Sequence, residues 1–415
     1  MRRNGRVLAI LAGVAVFASV AATAAFGAHR ADPGITATSI NIGGTFPITG
    51  VASLYKTIPA AESAYFAYTN DHGGVNGRKI NFTVLDDAYD PSKTVPLTQQ
   101  LVEQSKVFAV FGSLGTAPNL AIWSYLNKGK VPQVGIATGD SYWGFSHKKY
   151  PWTIGYQPDY PGEGKIYGKY IAANMPSAKI GVLYQNDAYG KNYYAGLRVG
   201  LGAKKSQIVS AQSYDVTQTS LAQQILALKA AGADTFAIFA TPSPTITALV
   251  TATKVGWNPT EFVNNVSANP LFIRLAAANG ADVSKVISTS YLVDPTLPAQ
   301  ANLAGVKLAK SIIGQYAPAL ASSLAAGDAN VVYGLGDAWM FVYALQHAGK
   351  NPTRASLIAA LKNMKNVSDP FLYPGMKLNT SAKDNFPTEQ EILVKWAGGG
   401  TGDWAAFGKL YEGVR

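Results

Sequence analysis

Two short loops of small residues and threonine have the residue types that could bind an anion. The first is in VFGSLGTAPN, where Gly112, Ser113, Gly115 and Thr116 follow an apolar strand predicted over residues 107–111. Exposed N–H groups at a helix start, together with a threonine hydroxyl, suit a carboxylate, and small residues let it approach the backbone. An ordinary strand-to-helix turn with a Ser or Thr cap explains the same residues, so this loop alone leaves both interpretations open.

A second loop repeats this arrangement. In VPQVGIATGDSYW a strand predicted over residues 131–136 is followed by Ala137, Thr138 and Gly139, and then by the aromatic pair Tyr142 and Trp143. In open α/β sheets, ligands sit outside the carboxyl ends of the strands, where loops lead into helix N-termini. We therefore expect the two loops to lie on the same edge of one sheet and to form part of one binding site.

The elements that position these loops alternate between strand and helix along most of the chain. Apolar runs such as KVFAVFG and KIGVLYQ each precede a stretch with helical spacing, LAIWSYLN and YYAGLRVGL. This alternation predicts α/β architecture with doubly wound parallel sheets. About 385 residues remain after an N-terminal leader. A chain of this length is too long for a single hydrophobic core, so we expect two lobes. The aromatic segment SYWGFSHKKYPWTIGYQPDYPG is expected to be the first crossing between them.

The N-terminal segment MRRNGRVLAILAGVAVFASVAATAAFGA has the pattern of a secretory signal peptide. Three arginines precede an apolar run that ends at the small-x-small sequence Ala25-Phe26-Gly27. We predict a signal peptide over residues 1–27, cleaved near Gly27, and a periplasmic or extracellular location. A retained membrane anchor is the alternative, since the run is nearly long enough to span a bilayer. The sequence contains no Cys, which excludes disulfides, thiolate metal sites and lipid attachment through an N-terminal Cys.

Composition argues against nucleic-acid binding and against common catalytic classes. The formal net charge of +11 falls to +8 without the three leader arginines, and the remaining basic residues are scattered rather than clustered. The sequence has no HExxH, GxSxG or P-loop motif, and its four histidines, at positions 29, 72, 147 and 347, are far apart. We therefore expect no catalytic residue, no metal site, no cofactor and no nucleic-acid partner.

Several stretches together resemble the periplasmic substrate-binding proteins of ABC importers of the branched-chain amino acid type. The matching stretches are INIGGTFPITG, YTNDHGGVNGRKINFTVLDDAYDP, VFGSLGTAPN, VPQVGIATG and AKIGVLYQNDAYGKNY. The resemblance implies a type I fold of two α/β lobes joined by three hinge crossings. We expect the first lobe to contain residues 35–156 and 293–388, and the second to contain residues 157–292 and 389–415.

The resemblance also implies which residues contact a ligand. Leu114, Gly115 and Thr116 match the family's first ligand loop, and Ile136, Ala137 and Thr138 match the second. Tyr189 in NDAYG matches a second-lobe aromatic that closes over the ligand, although a packing role at a helix start is the alternative. Tyr142 is our candidate among the aromatics of the first crossing, most of which are expected to pack the hinge.

One departure from the family pattern concerns the ligand's ammonium group. Leucine-binding relatives carry an acidic residue where this sequence has Val266, flanked by Asn264, Asn265 and Ser267. A buried ammonium without a counter-ion is costly. We therefore expect Asn265 to take part in binding through a neutral group, and we expect carboxylates without an amino group, aromatic ones especially, to compete with or exceed branched-chain amino acids.

From this resemblance we expect the protein to capture a small carboxylate between its two lobes and to deliver it to the membrane permease of an ABC importer. We expect the protein to be a monomer. The ligand-sensing domain of a membrane receptor is an alternative. We disfavour it because no second apolar span and no signalling module are recognised before Arg415.

Overall fold

The computed structural model describes residues 32–413, and in that range the chain forms two β-sheets covered by helices. The first sheet contains β1 (Ser39–Phe46), β2 (Lys79–Asp86), β3 (Ala109–Phe111), β4 (Gln133–Ile136) and β5 (Thr153–Gly155). The second contains β6 (Ile180–Gln185), β7 (Ile208–Tyr214), β8 (Thr235–Phe239), β9 (Thr260–Val263), β10 (Val286–Ser290), β11 (Gln390–Ala397) and β12 (Asp403–Glu412).

The strand order in both sheets is that of doubly wound α/β folds. The first sheet has the order β2-β1-β3-β4-β5, and all its neighbouring strands are parallel. The second has the order β12-β11-β10-β9-β8-β6-β7, parallel except where β11 pairs with β10 and β12. Several strands, including β4 and β8, are buried along their whole length because helices cover both faces. The predicted fold class is confirmed.

Thirteen α-helices connect the strands of the described chain. They are α1 (Thr57–Asp71), α2 (Pro91–Gln99), α3 (Thr116–Lys128), α4 (Tyr142–Phe145), α5 (Tyr160–Asn174), α6 (Ala188–Leu201), α7 (Ala222–Ala230), α8 (Pro242–Lys254), α9 (Pro270–Ala278), α10 (Ala304–Tyr316), α11 (Ala321–Ala325), α12 (Ala329–His347) and α13 (Arg354–Leu361). Helix α12 is buried along most of its length and packs against α1. These two helices bring residues from distant parts of the sequence to the same side of the first sheet.

The chain passes between the two sheets three times. It leaves the first sheet after β5, forms after β10 helices such as α12 that pack against the first sheet and its helices, and enters the second sheet again at β11. We refer to the first sheet with its helices as the first lobe, and to the second sheet with its helices as the second lobe. The predicted residue boundaries of the lobes stay a prediction.

The N-terminal leader lies outside the described residues, so the structure says nothing of the predicted signal peptide. Between residues 32 and 413, no helix is long and apolar enough to cross a membrane.

Candidate ligand-binding site

A cavity lies between the two lobes, where the loops after the strands of both sheets face each other. It contains about 580 Å³ of space between atoms, part of it open to solvent. Its wall is formed by Tyr55, Ile58, Tyr89, Leu114, Gly115, Ala137, Gln157, Tyr160, Tyr189, Thr241, Asn265, Val266, Asn269, Tyr291, Leu292, Ala329, Asn330 and Tyr333.

The first-lobe wall contains the two loops predicted from the sequence, which lie side by side. Leu114 and Ala137 form a parallel β-bridge, and the Gly115 N–H donates to the Ala137 carbonyl at 3.2 Å. Gly115 has a φ of 103°, and a Cβ at this position would lie 2.6 Å from the ring of Tyr89. A glycine is therefore needed here both for the backbone conformation and for the close approach of that ring.

Thr116 and Thr138 lie directly behind this wall. Their hydroxyls hydrogen-bond to each other at 2.6 Å between the Oγ1 atoms, and each residue is only 1% exposed. The Tyr160 hydroxyl also bonds to the Thr138 side chain. The two threonines thus join the two loops, while Leu114, Gly115 and Ala137 form the surface of the cavity.

Ile136 and Tyr142 lie apart from the cavity wall. Ile136 is fully buried in a small cluster with Trp123 and Trp143. Tyr142 begins the single-turn helix α4 and is 50% exposed, with its ring centroid 6.0 Å from that of Trp123. The Trp143 indole N–H donates to the Thr138 carbonyl at 3.1 Å, so this aromatic segment supports the second loop from behind.

The second-lobe wall includes Tyr189 and Asn265, both predicted from the sequence. The Tyr189 hydroxyl accepts a hydrogen bond from the Asn264 side-chain amide at 2.7 Å, which leaves its proton free to donate. Asn265 follows β9 in a short 3-10 turn, and its side-chain amide donates to the Thr289 carbonyl at 2.6 Å. Val266, the position at which the sequence departs from the expected family pattern, also lines the cavity.

Six tyrosines dominate the cavity, and most of them were missed in the sequence analysis. They are Tyr55, Tyr89, Tyr160, Tyr189, Tyr291 and Tyr333. Burial raises the pKa of every one of these phenols above its ordinary value of 10.0, so all are neutral at physiological pH. The Tyr333 hydroxyl is buried without a hydrogen-bond partner among the described residues. Tyr189 was predicted from the sequence and Tyr160 lies in the segment predicted as the first crossing, whereas the other four tyrosines had no sequence signal.

The cavity has no formal charge in its wall. Among the described residues that line it, none is Asp, Glu, Lys, Arg or His. The described part of the chain also holds no group of three or more His, Cys, Asp and Glu side chains placed to bind a metal ion. The wall can therefore offer hydroxyls, amides, backbone groups and aromatic faces to a ligand.

Several side-chain hydrogen bonds join the lobes around this cavity. The Asn192 side-chain amide in α6 donates to Asp140 Oδ2 at 2.8 Å. The Tyr55 hydroxyl donates to the Val266 carbonyl at 3.2 Å, and the Asn269 amide donates to Asp328 Oδ1 at 2.6 Å. These contacts indicate that the structure represents a form in which the lobes are closed.

Solved structures with the same fold differ in the ligands that their titles name. A fatty acid ABC transporter substrate-binding protein from Thermomonospora curvata has a TM-score of 0.77 at 22% identity, covering 91% of this chain and 94% of that chain. A branched-chain amino acid ABC transporter protein from Thermus thermophilus with bound valine has a TM-score of 0.78 at 18% identity, covering 90% and 96%. A solute-binding protein from Rhodopseudomonas palustris BisB5 in complex with 3,4-dihydroxybenzoic acid has a TM-score of 0.74 at 20% identity, covering 91% and 98%.

Sequence comparison agrees with this fold. A leucine-, isoleucine-, valine-, threonine- and alanine-binding protein of Pseudomonas aeruginosa is 27% identical over 158 residues, which is 38% of this chain and 42% of that protein. The match thus spans less than half the length of this curated relative. The model of the family described as periplasmic binding protein matches residues 39–401. The resemblance found in the sequence is confirmed, and the chain belongs to the periplasmic binding protein family.

Proposed function

We propose that this protein is the extracytoplasmic solute-binding component of an ABC importer. It captures a small carboxylate between its lobes and delivers it to a membrane permease, acting as a monomer without catalytic turnover. Membership of the periplasmic binding protein family implies an extracytoplasmic location, and a signal peptide cleaved near Gly27 would provide the export. The observation that carries this proposal is the uncharged, tyrosine-lined cavity between the two lobes.

The first-lobe wall supports binding of a carboxylate. Gly115 lines the cavity and immediately precedes α3, a helix of 13 residues. The first N–H groups of a helix have no partner within it, and the helix dipole favours an anion at this end. We therefore propose that the ligand's carboxylate binds near Gly115 and Thr116, on the loops that the sequence first indicated.

The second-lobe wall favours a ligand without an ammonium group. Val266, Asn265 and Thr241 line this side, and none of them has a negative charge. Neutral acceptors offset less of an ammonium's desolvation cost than a carboxylate would. Fatty acid and 3,4-dihydroxybenzoic acid, named in the titles of two solved relatives, are carboxylates that lack this group.

Aromatic carboxylates suit the remaining walls best. Tyrosine rings pack against an aromatic ring in edge-to-face or offset geometry, and such pairs stabilise beyond simple area burial. The hydroxyls of Tyr189 and Tyr333 can each donate to a ligand oxygen, because neither donates within the described structure. The cavity therefore matches an aromatic carboxylate, with room for ring hydroxyls.

A branched-chain amino acid is the second candidate, because curated relatives include proteins that bind leucine, isoleucine and valine. In that case the ammonium would be held by neutral groups such as the side-chain oxygen of Asn265. A ligand-sensing role in a receptor would use the same cavity.

A thermal-shift screen of the mature protein tests the proposed function. The screen compares amino acids, their amides, straight-chain acids and aromatic acids, since a bound ligand raises the melting temperature by mass action. We expect aromatic carboxylates to give the largest shifts and Tyr189→Phe to reduce them. Tyr184→Phe is the matched control, because Tyr184 stacks on Tyr194 outside the cavity wall. Absence of any shift across the carboxylates would contradict the proposal.

A further inference from the structure

A buried carboxylate lies directly behind the second-lobe wall of the cavity. Glu163, in the first turn of α5, is 3% exposed. Its Oε1 accepts hydrogen bonds from the Tyr167 hydroxyl and from the Asn265 backbone N–H, each at 2.6 Å. Its Oε2 accepts from the Tyr193 hydroxyl, also at 2.6 Å. Three short bonds from three different elements thus converge on one side chain.

Two of these donors connect Glu163 to the cavity. Asn265 is part of the cavity wall, so its backbone position fixes the loop that faces the ligand. Tyr193 stacks on Tyr160 with ring centroids 4.5 Å apart, and it meets Tyr189 edge-on at 5.5 Å. Tyr160 and Tyr189 both line the cavity. A single carboxylate therefore holds the loop and the aromatic half of the second-lobe wall.

We propose that Glu163 is the positioning residue of this wall and that it acts as an ionised carboxylate. It lies one hydrogen bond behind Asn265, which is in the loop that faces the ligand. It reaches the ligand only through Asn265, Tyr160 and Tyr189. The part of this inference that concerns ligand affinity rests on the proposed function, whereas the part that concerns the wall's geometry does not.

The hydrogen bonds explain why the ionised form is the one that fits. A carboxylate has only acceptors, and all three neighbouring groups donate to it. A protonated Glu163 would have to donate to a tyrosine hydroxyl, because the Asn265 N–H cannot accept, and that tyrosine would then no longer donate to it.

The surroundings place the ionisation of Glu163 in the physiological pH range. Burial raises the pKa of Glu163 to about 7, against the opposing effect of its hydrogen bonds. The titratable groups facing it and its neighbour are Tyr160 and Tyr167 on the same helix, Tyr193 on α6, Glu391 on β11, Asp159 before α5 and Tyr291 after β10. Lys165 acts on Asp159, where it lowers the pKa.

Glu391 holds its proton more strongly than the neighbouring Glu163. Burial and the charge of Glu163 raise the pKa of Glu391 well above its ordinary range. Glu391 accepts a bond from the Thr289 hydroxyl at 2.6 Å, and its Oε2 has no partner in the described structure. Glu391 accepts a hydrogen bond from one donor, whereas Glu163 accepts hydrogen bonds from three. A negative charge is therefore better stabilised on Glu163 than on Glu391.

A ligand-free NMR titration tests the geometric part of the proposal. In the wild-type protein, the Asn265 amide proton should lie at low field at about pH 8.5 and move upfield as the pH falls, with a midpoint of about 7, the pKa of Glu163. Glu163→Gln should abolish this titration. Glu261→Gln should keep it, because Glu261 is a buried carboxyl at the opposite end of β9. A titration that persists in Glu163→Gln, or is missing from the wild type, overturns the proposal.

Two further variants cover the case in which Glu163→Gln does not fold. Tyr167→Phe and Tyr193→Phe each remove one donor to the carboxylate while keeping the ring. Each should raise the midpoint of the Asn265 titration, because the ionised form loses one stabilising bond. An unchanged midpoint in both variants contradicts the role of Glu163.

Ligand affinity provides the functional readout, with 3-phenylpropanoate as the probe. Between about pH 8.5 and pH 5.5 we expect wild-type affinity to fall roughly three- to tenfold, as one charge-assisted bond is weakened. Glu163→Gln should keep only the smaller pH dependence that comes from Asp140, whose pKa is about 6, and Glu261→Gln should follow the wild type. Equal pH dependence in all three contradicts the affinity part. If 3-phenylpropanoate binds to none of the three proteins, both the proposed ligand class and the affinity part of the inference are wrong. The NMR titration still tests whether Glu163 holds the wall in position.

Discussion

The side-chain amide of Asn192 donates to the carboxylate of Asp140 across the cleft, at 2.8 Å. Asp140 follows the second ligand loop of the first lobe, and Asn192 lies on α6 of the second lobe. Because the bond exists only when the lobes are together, it stabilises the closed form relative to the open one. Burial raises the pKa of Asp140 to about 6, so at neutral pH the carboxylate is charged and the bond is charge-assisted.

We predict that Asn192→Ala weakens the binding of any cavity ligand. Loss of a hydrogen bond to a charged group shifts the open–closed equilibrium by about 1.5 to 3 kcal/mol, which is about tenfold or more in affinity. Calorimetric titration with the acid that gives the largest thermal shift measures this change. Asn174→Ala is the control, since the Asn174 amide bonds within its own helix, to the Tyr170 carbonyl. Equal affinities for wild type and Asn192→Ala would exclude a role of this bond in closure.

Lobe closure itself gives a second prediction. A ligand that contacts both lobes binds the closed form better, and only this difference can shift the equilibrium. Small-angle scattering should therefore show a smaller radius of gyration with a confirmed ligand than without it. A radius that does not change would indicate that the two lobes form a rigid unit.

Because Thr116 and Thr138 bond to each other behind the first-lobe wall, we predict that the effects of replacing them on stability are not additive. Thr116→Val or Thr138→Val alone leaves the other hydroxyl without that partner in a buried site, at a cost of about 1 to 3 kcal/mol in the free energy of unfolding. The double variant removes both hydroxyls, so its cost should be clearly less than the sum of the two. Urea unfolding of the four proteins measures this coupling. We also expect the double variant to bind carboxylates more weakly, and unchanged affinity would remove these hydroxyls from the site.

Much of the fold could be predicted from the sequence because its signals are local. Alternating apolar runs and helical spacing predict strands and helices directly, and Gly115 and Thr116 are recognisable at the end of a strand. The rest of the cavity depends on long-range packing. Tyr55, Tyr291 and Tyr333 reach the cavity from a loop before α1, the end of β10 and the buried helix α12. No local pattern distinguishes them from core tyrosines.

Tyr333→Phe should have opposite effects on stability and binding. Its hydroxyl is buried without a partner in the described structure, so removing it should leave the ligand-free protein equally stable or up to about 1 kcal/mol more stable. If a ligand oxygen accepts a hydrogen bond from this hydroxyl, the free energy of binding should become less favourable by about 1 kcal/mol. Thermal unfolding and calorimetric titration measure the two effects. Clear destabilisation of the ligand-free variant would mean that the hydroxyl has a partner within the protein.

Buried carboxyls predict that the protein is more stable in mild acid than at neutral pH. Burial raises the pKa of Asp369 from 3.8 to about 7, and that of Glu389 from 4.5 to about 7. Between the unfolded and folded pKa values the folded state binds more protons, so stability falls as the pH rises through about 4 to 7. The melting temperature should therefore be higher at about pH 5 than at about pH 8. Asp369→Asn should reduce this difference, whereas Asp282→Asn, at a carboxyl whose pKa is lowered by hydrogen bonds, should not.

The central claim is that the uncharged cavity accepts carboxylates without an ammonium group. Calorimetric titration of the mature protein with leucine, phenylalanine and 3-phenylpropanoate tests it most directly, because the last two differ only in the amino group. We predict that 3-phenylpropanoate binds at least as tightly as either amino acid. Micromolar or tighter binding of leucine, with no binding of 3-phenylpropanoate, would contradict this account and identify the ligand as a branched-chain amino acid.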